Sequence, residues 1–199
     1  YITVETFYRD NHQRASLKVL NNESSFNRKI REKEVHRPGL ALSGFVEVFT
    51  YWRLQVMGNT EIGYLNTLQG KSRIKASSSV LGFDLPCIVI TNNNIPPEEF
   101  ISIATQKGIT IFQTPMSTTT AVYHISEYLD SIFAPVKVMH GSLVDVYGVG
   151  LLITGASAIG KSELALDLIE RGHQLVADDV VHITKVGTNI LQGAPNNVL

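Results

Sequence analysis

Gly155-Ala156-Ser157-Ala158-Ile159-Gly160-Lys161-Ser162 has the spacing G-x-x-x-x-G-K-[ST] of a phosphate-binding loop (P-loop). The backbone of such a loop turns its N–H groups inward on a phosphate, the lysine offsets phosphate charge, and the hydroxyl ligates Mg²⁺. The flanks suit the motif. Val149-Gly150-Leu151-Leu152-Ile153 is a short apolar run that reads as a strand, and 163–171 reads as a helix with Leu164, Ala165, Leu168 and Ile169 on one face and Gly172 as its stop. A helix that starts just past a glycine-rich turn presents its free N–H groups and positive dipole end to an anion. All eight loop residues are therefore candidate nucleotide-binding positions.

The 199 residues allow one large or two small domains, and 44% hydrophobic residues suffice for a core. The net charge is −1, with 13 Lys/Arg against 12 Asp/Glu up to Phe133 and 4 against 6 beyond it. Neither half has the basic character of a nucleic-acid-binding domain. No apolar run reaches the roughly 18 residues needed to cross a membrane. The opening Tyr1-Ile2-Thr3-Val4-Glu5 lacks a signal-peptide pattern, and the expected setting is the cytosol. The single cysteine, Cys87, lies in the apolar run 85–90 and reads as a buried core thiol.

Taken in order, 3–8 begins a helix, 17–20 reads as a short strand, and 28–34 is a charge run with a solvated face. Arg37-Pro38-Gly39 marks a turn. The aromatic group of Phe45, Val48, Phe49, Tyr51 and Trp52 reads as core, and 53–57 as a strand. The polar stretch 71–79, with three successive serines, reads as an exposed loop. Strand 87–90, a helix from Pro96 to Lys107 stopped by Gly108, and strand 110–112 form a β-α-β unit, the signature of an α/β layer with a parallel sheet. A further helix spans 118–132, with Val122, Ile125 and Leu129 at helical spacing. Ala134-Pro135 breaks the pattern, which divides the chain into domains 1–133 and 134–199. The second begins with antiparallel strands that lead into the phosphate loop, unlike the parallel arrangement of Ras-like NTPases. Strand 174–177 follows the loop helix, and 180–192 reads as a hairpin turning at Gly187-Thr188.

Asp178-Asp179 ends that strand, where a metal-binding carboxylate of a phosphate-loop enzyme belongs. One carboxylate can hold Mg²⁺, which takes only one or two from protein; the other can act as general base towards an acceptor hydroxyl. The bland alternative is a solvated turn with an N-cap-like aspartate, and the nearby phosphate loop favours the site. His140, in the turn His140-Gly141-Ser142, reads from spacing alone as structural or exposed. His173, His182 and Cys87 make no metal-ligand spacing, so zinc is not expected.

The stretch 138–180 (V-M-H-G-S-L-V-D-V-Y-G-V-G-L-L-I-T-G-A-S-A-I-G-K-S-E-L-A-L-D-L-I-E-R-G-H-Q-L-V-A-D-D-V) resembles the bacterial HPr kinase/phosphorylase family. Arg37-Pro38-Gly39-Leu40-Ala41-Leu42-Ser43-Gly44 resembles a turn in that family's N-terminal domain. The resemblance implies an N-terminal α/β domain, a C-terminal P-loop kinase domain similar to phosphoenolpyruvate carboxykinase, and a homo-hexamer. It implies that ATP or pyrophosphate, with Mg²⁺, phosphorylates a serine of the phosphocarrier protein HPr. The same site removes that phosphate with inorganic phosphate, releasing pyrophosphate, and fructose bisphosphate commonly activates. By position, Asp178 would be the general base and, in reverse, the acid. His140 would pair with Asp178 and tune it, Lys161 and the loop backbone would hold phosphate, and Ser162 and Asp179 would serve Mg²⁺.

Two features depart from the family pattern. Ala158 stands where the family usually has glycine; if the position needs a positive φ, a Cβ there costs about 1 kcal/mol. The 199 residues also stop before the family's second signature segment, with its metal-binding glutamate, catalytic arginines and C-terminal helix. Taken alone they are expected to bind nucleotide weakly and to lack kinase activity. A generic P-loop small-molecule kinase or NTPase, and a nucleotide-binding regulatory module without catalysis, are the competing readings.

Overall fold

The computed structural model describes residues 1–23, 26–187 and 189–195. The chain is mixed α/β and divides into two compact units, Tyr1–Phe133 and Ala134–Leu199.

In the first unit the elements run β1 (Ile2–Thr3), α1 (Val4–Asn11), β2 (Lys18–Val19), β3 (Lys29–Ile30), β4 (Val35–His36), α2 (Gly39–Leu42), β5 (Leu54–Met57), α3 (Asn59–Thr67), α4 (Gly70–Leu81), β6 (Ile88–Ile90), α5 (Glu98–Gln106), β7 (Ile111–Gln113) and α6 (Thr118–Ile132). A five-stranded sheet has the order β2-β7-β6-β5-β4, parallel except for β2. Register explains its two cores. Val56, Val89 and Phe112 lie side by side across three strands and pack against α1 and α6. The alternate residues Met57, Ile88, Ile90 and Ile111 pack against α2 to α5. Strands covered on both faces read as unbroken apolar runs, which is why Cys87 to Ile90 was legible and why its thiol is buried. Thr3 and Ser117 cap α1 and α6 by accepting from Thr6 and Thr120 N–H groups.

Two expectations for this unit need correction. The stretch 71–79 is not a loop; it lies within α4. Ala76, Val80 and Leu81 bury one face, and the Ser77 and Ser79 hydroxyls donate to the Arg73 and Ala76 carbonyls. Such back-bonding lets serines sit in a helix when packing favours it. The aromatic group is core only in part. Phe49 is buried and meets Phe83 edge-on, Tyr51 stacks on Phe83 with centroids 5.0 Å apart, whereas Phe45, Val48 and Trp52 are exposed.

The Arg37-Pro38-Gly39 turn has a structural explanation. Arg37 donates to Glu61 Oε2 at 2.9 Å, and the same oxygen accepts from the Gly58 N–H at 2.8 Å, at the start of α3. Glu61 is buried, and the paired guanidinium is what makes a carboxylate tolerable there. Gly39 lies beside that carboxylate: a Cβ on it would stand 3.4 Å from Glu61 Oε1, an ordinary van der Waals contact.

The second unit contains β8 (Val136–His140), β9 (Ser142–Val146), β10 (Val149–Ile153), α7 (Lys161–Glu170), β11 (Gln174–Ala177), β12 (Val180–Val186) and β13 (Ile190–Pro195). These strands form two three-stranded antiparallel sheets, β10-β9-β11 and β13-β12-β8. The β12–β13 hairpin is present; Thr188, expected in its turn, lies outside the described residues. Along β9, Val144 and Val146 pack with Ile153 and with Ala165 and Leu168 of α7, while Leu143 points to Ala177 and Val181 on the other face. The helix starts at Lys161, two residues earlier than its sequence pattern suggests, and only Ala165 is buried. Leu164, expected on the packed face, is exposed.

Candidate active site

Strand pairing gathers the chemistry of the second unit at one edge. Ile153, the last residue of β10, pairs with Ser142, the first of β9, so the phosphate loop leaves the sheet where β9 begins. Ala177 of β11 pairs with Leu143, across a register shift after Leu175, which brings Asp178 beside the same edge. Val180 pairs with His140, carrying the end of β8 there from the other sheet. The result is a cleft of about 430 Å³ that is lined by seven of the sequence-predicted residues: His140, Gly155, Ser157, Lys161, Ser162, Asp178 and Asp179. Ala156, Ala158, Ile159 and Gly160 belong to the same loop without forming its wall.

Gly160 is left-handed, at φ 95°, and caps α7, so the helix's first N–H groups open onto the loop. Gly155 lies close to the loop's own side chains, and a Cβ there would approach Ile159 Cγ2 to 3.2 Å. Lys161 folds its amine back to donate to the Ala156 carbonyl at 2.7 Å, across the concave side of the loop. Ala158 does have the positive φ on which the sequence argument turned, at 62°. It keeps a Cβ in a region that disfavours one.

The aspartate pair stands on a strained turn. Asp179 has φ 64°, and the Val180 N–H donates to the Asp178 carbonyl at 2.7 Å, the i-to-i+2 bond of a γ-turn with a positive central φ. Such turns are rare and persist where neighbours hold them. Two do so here. The Gly141 N–H donates to the Asp179 carbonyl at 3.2 Å, and the Ser142 hydroxyl donates to Asp178 Oδ1 at 2.6 Å. Gly141 has no room for a side chain, because a Cβ would overlap the Ile153 carbonyl oxygen.

The expected pairing of His140 with Asp178 is not formed. His140 is exposed at the end of β8, opposite Val180 rather than Asp178, and Asp178 takes its hydrogen bond from Ser142 instead. Sequence reasoning passed over Gly141, Ser142 and Val180 as lining residues. The signal for Ser142 was present: Ser142, Val144 and Val146 alternate on one face of β9, and a hydroxyl on an apolar face needs a partner.

The donor set fits a hard divalent cation. Ser162 and Asp179 offer oxygen ligands in one cleft, and Mg²⁺ typically takes one or two carboxylates with the rest from substrate phosphates and water. Among the described residues of the wall, Lys161 is the one lysine or arginine against two carboxylates, so a phosphate ligand is better accommodated with a divalent cation than without. Among the described residues no group of three or more His, Cys, Asp or Glu side chains is arranged to hold a metal. Nor, among them, is any helix long and apolar enough to cross a membrane.

Comparison with known proteins gives this arrangement a lineage. The family described as "HPr Serine kinase N terminus" matches residues 2–129, and that described as "HPr Serine kinase C-terminal domain" matches 131–199. An HPr kinase/phosphorylase of Chloroherpeton thalassium is 50% identical over 195 residues, covering 97% of this chain and 57% of that protein. One from Chlorobaculum tepidum is 46% identical over 201 residues, covering 100% and 59%. The solved HPr(Ser) kinase/phosphatase of Coxiella burnetii is 47% identical over 31% of this chain and 37% of its own, with a TM-score of 0.28. The chain thus spans a little over half the length of the curated relatives it matches. With both halves matched almost end to end, the chain belongs to the HPr serine kinase family.

Proposed function

We propose that the protein phosphorylates a serine of the phosphocarrier HPr, with ATP or pyrophosphate as donor. In the opposite sense it removes that phosphate with inorganic phosphate and releases pyrophosphate. The observation that carries the reading is the convergence of the phosphate loop and the Asp178-Asp179 turn on one cleft. A kinase needs those two parts side by side: a cradle that holds the transferred group, and a carboxylate for the acceptor's proton. Family membership supports HPr as the acceptor over a small molecule.

In this reading the loop backbone from Gly155 to Gly160 and Lys161 hold the β-phosphate, and Asp178 accepts the serine proton in one direction and returns it in the other. Ser162 and Asp179 would hold Mg²⁺, which when bound offsets phosphate charge. Positioning and charge neutralisation carry most of phosphoryl transfer, so these roles suffice without a covalent enzyme intermediate. His140 lines the same cleft, and in this reading it acts at the acceptor without a bond to Asp178. We extend the proposal to a second unit of the phosphoenolpyruvate carboxykinase type. The antiparallel pairing of β9 and β10 ahead of the loop supports that over a Ras-like layer. The homo-hexamer implied by the resemblance belongs to the same proposal and is checked by the mass of the protein in solution.

The test is a transfer assay at the full length of the curated relatives, with purified HPr and Mg-ATP. Asp178→Asn should lower transfer by about 10²- to 10⁴-fold, the usual range for a lost general base, while nucleotide affinity is kept. Wild-type transfer in the Asp178→Asn variant would assign the cleft to binding alone.

A further inference from the structure

We propose that Ser142 is a positioning residue for Asp178: its hydroxyl fixes the carboxylate beside the phosphate loop and leaves one defined oxygen for the acceptor. The proposal rests on the kinase/phosphorylase reading of the cleft and deepens it.

Four observations converge on this role. Ser142 is 2% exposed and opens β9 on the face that α7 covers, where a hydroxyl has few polar neighbours. Its hydrogen bond goes to Asp178 Oδ1 at 2.6 Å, within the 2.5–2.7 Å characteristic of a hydroxyl on an ionised carboxylate. Asp178 is exposed and follows the end of β11, so burial does little to fix its side chain in one rotamer. A terminal carboxylate torsion is soft, and an untethered Asp178 would present either oxygen at a range of angles. Finally, Oδ2 takes no hydrogen bond from the described residues.

The tether is itself anchored. Ser142 pairs with Ile153 across β9 and β10, so the hydroxyl is held in register with the residue that leads into the phosphate loop. Next to it, the Gly141 N–H holds the Asp179 carbonyl. Gly141 and Ser142 together therefore clamp the strained turn, one on its backbone and one on its working side chain. Drift of the Asp178 carboxylate has to break the Ser142 bond, and drift of the turn's backbone has to break the Gly141 bond.

In the forward step the acceptor oxygen bonds to phosphorus as the bond from phosphorus to the leaving diphosphate breaks. The acceptor's proton passes to Asp178. With Oδ1 occupied by Ser142, Oδ2 is the oxygen that receives it, and the reverse step returns the proton from that atom. Ser142 touches neither the acceptor nor the phosphate; it acts through the aspartate.

The experiment uses the full-length protein with HPr and Mg-ATP, and an isosteric pair at one position, Ser142→Thr and Ser142→Val. These differ only in whether a hydroxyl is present, so any cost of the added branch is shared. Ser142→Thr should keep kcat within about threefold of the native protein. Ser142→Val should lose roughly 10- to 100-fold in kcat, the scale of a misplaced reacting group, with nucleotide Kd unchanged within about twofold. In the Asp178→Asn background the two should be indistinguishable, because residues that act as a unit are not additive. Equal kcat for the pair overturns the proposal. So does a loss in Ser142→Val that is matched by nucleotide affinity and by the unfolding midpoint, since that is a purely structural effect. If the native protein transfers no phosphate to HPr, the activity reading itself fails, and the role of Ser142 fails with it.

Discussion

Ala158→Gly should stabilise the protein, against the usual effect of adding a glycine. Ala158 has φ 62°, and the left-handed region costs a residue with a Cβ about 1–2 kcal/mol. Glycine removes that cost but adds about 0.5–1 kcal/mol of unfolded-state entropy to be lost on folding. The net expectation is a gain of about 0.5–1 kcal/mol. Ala156 provides the control, because it lies two residues away in the same exposed loop without a positive φ. Ala156→Gly incurs only the entropic cost and should destabilise by about 0.5–1 kcal/mol. The two variants should therefore differ by about 1–2 kcal/mol, in opposite directions from the parent. With a urea m-value of about 2 kcal/mol/M, equilibrium unfolding should separate their midpoints by roughly 0.5–1 M. Nucleotide affinity of Ala158→Gly should fall no more than about fivefold, the whole entropic term if binding orders the loop. Equal destabilisation by both substitutions would refute the reasoning, because it would mean that position 158 carries no strain.

Three other perturbations probe separate parts of the account. Gly141→Ala puts a Cβ onto the Ile153 carbonyl oxygen and displaces the N–H that holds Asp179; a loss of about 1–3 kcal/mol in urea unfolding and weaker nucleotide binding are expected, and an unchanged midpoint would mean the clamp is loose. Arg37→Ala leaves Glu61 buried with only the Gly58 N–H; the cost should be about 2 kcal/mol, less than for a fully buried pair because Arg37 is half exposed, and the additional change Glu61→Gln should recover part of it. Burial, aided by the Arg53 charge, holds His36 below its ordinary value of 6.5, so the folded chain binds that proton less readily than the unfolded one. Stability from this group is therefore present above about 6.5 and lost as pH falls below it through the lower folded value, and the pH dependence of the unfolding midpoint should flatten in that window in His36→Gln.

How much of this was legible in the sequence depended on whether local pattern and tertiary packing agreed. Strands 88–90 and 111–113 and helix α5 between them were readable, because a strand buried on both faces is a plain apolar run and Pro97 and Gly108 bracket the helix. Helix α4 was hidden because its three serines signal a loop, and only the carbonyls of Arg73 and Ala76 and the packing of Val80 reveal why they do not form one. The aromatic group misled for a related reason: composition gives the number of rings, but the irregular backbone between α2 and β5 decides which of them turn inward. At the candidate site, spacing singled out the phosphate-loop pattern and the aspartates, since those residues are adjacent in sequence or follow a strand end. The link from Ser142 to Asp178 joins positions 36 apart and depends on the order β10-β9-β11, which spacing does not contain. The strain at Ala158 and Asp179 was likewise conditional on a φ that only coordinates supply.

The central claim is that one cleft runs phosphoryl transfer in both directions on a protein serine, and pyrophosphate reports it directly. The full-length protein should be mixed with serine-phosphorylated HPr, Mg²⁺ and inorganic phosphate, and pyrophosphate measured against time. Pyrophosphate should appear in step with unphosphorylated HPr, one for one, and Asp178→Asn should suppress both. Dephosphorylation that yields only inorganic phosphate, or no reaction on phosphorylated HPr alongside turnover of a small-molecule acceptor, would contradict the account.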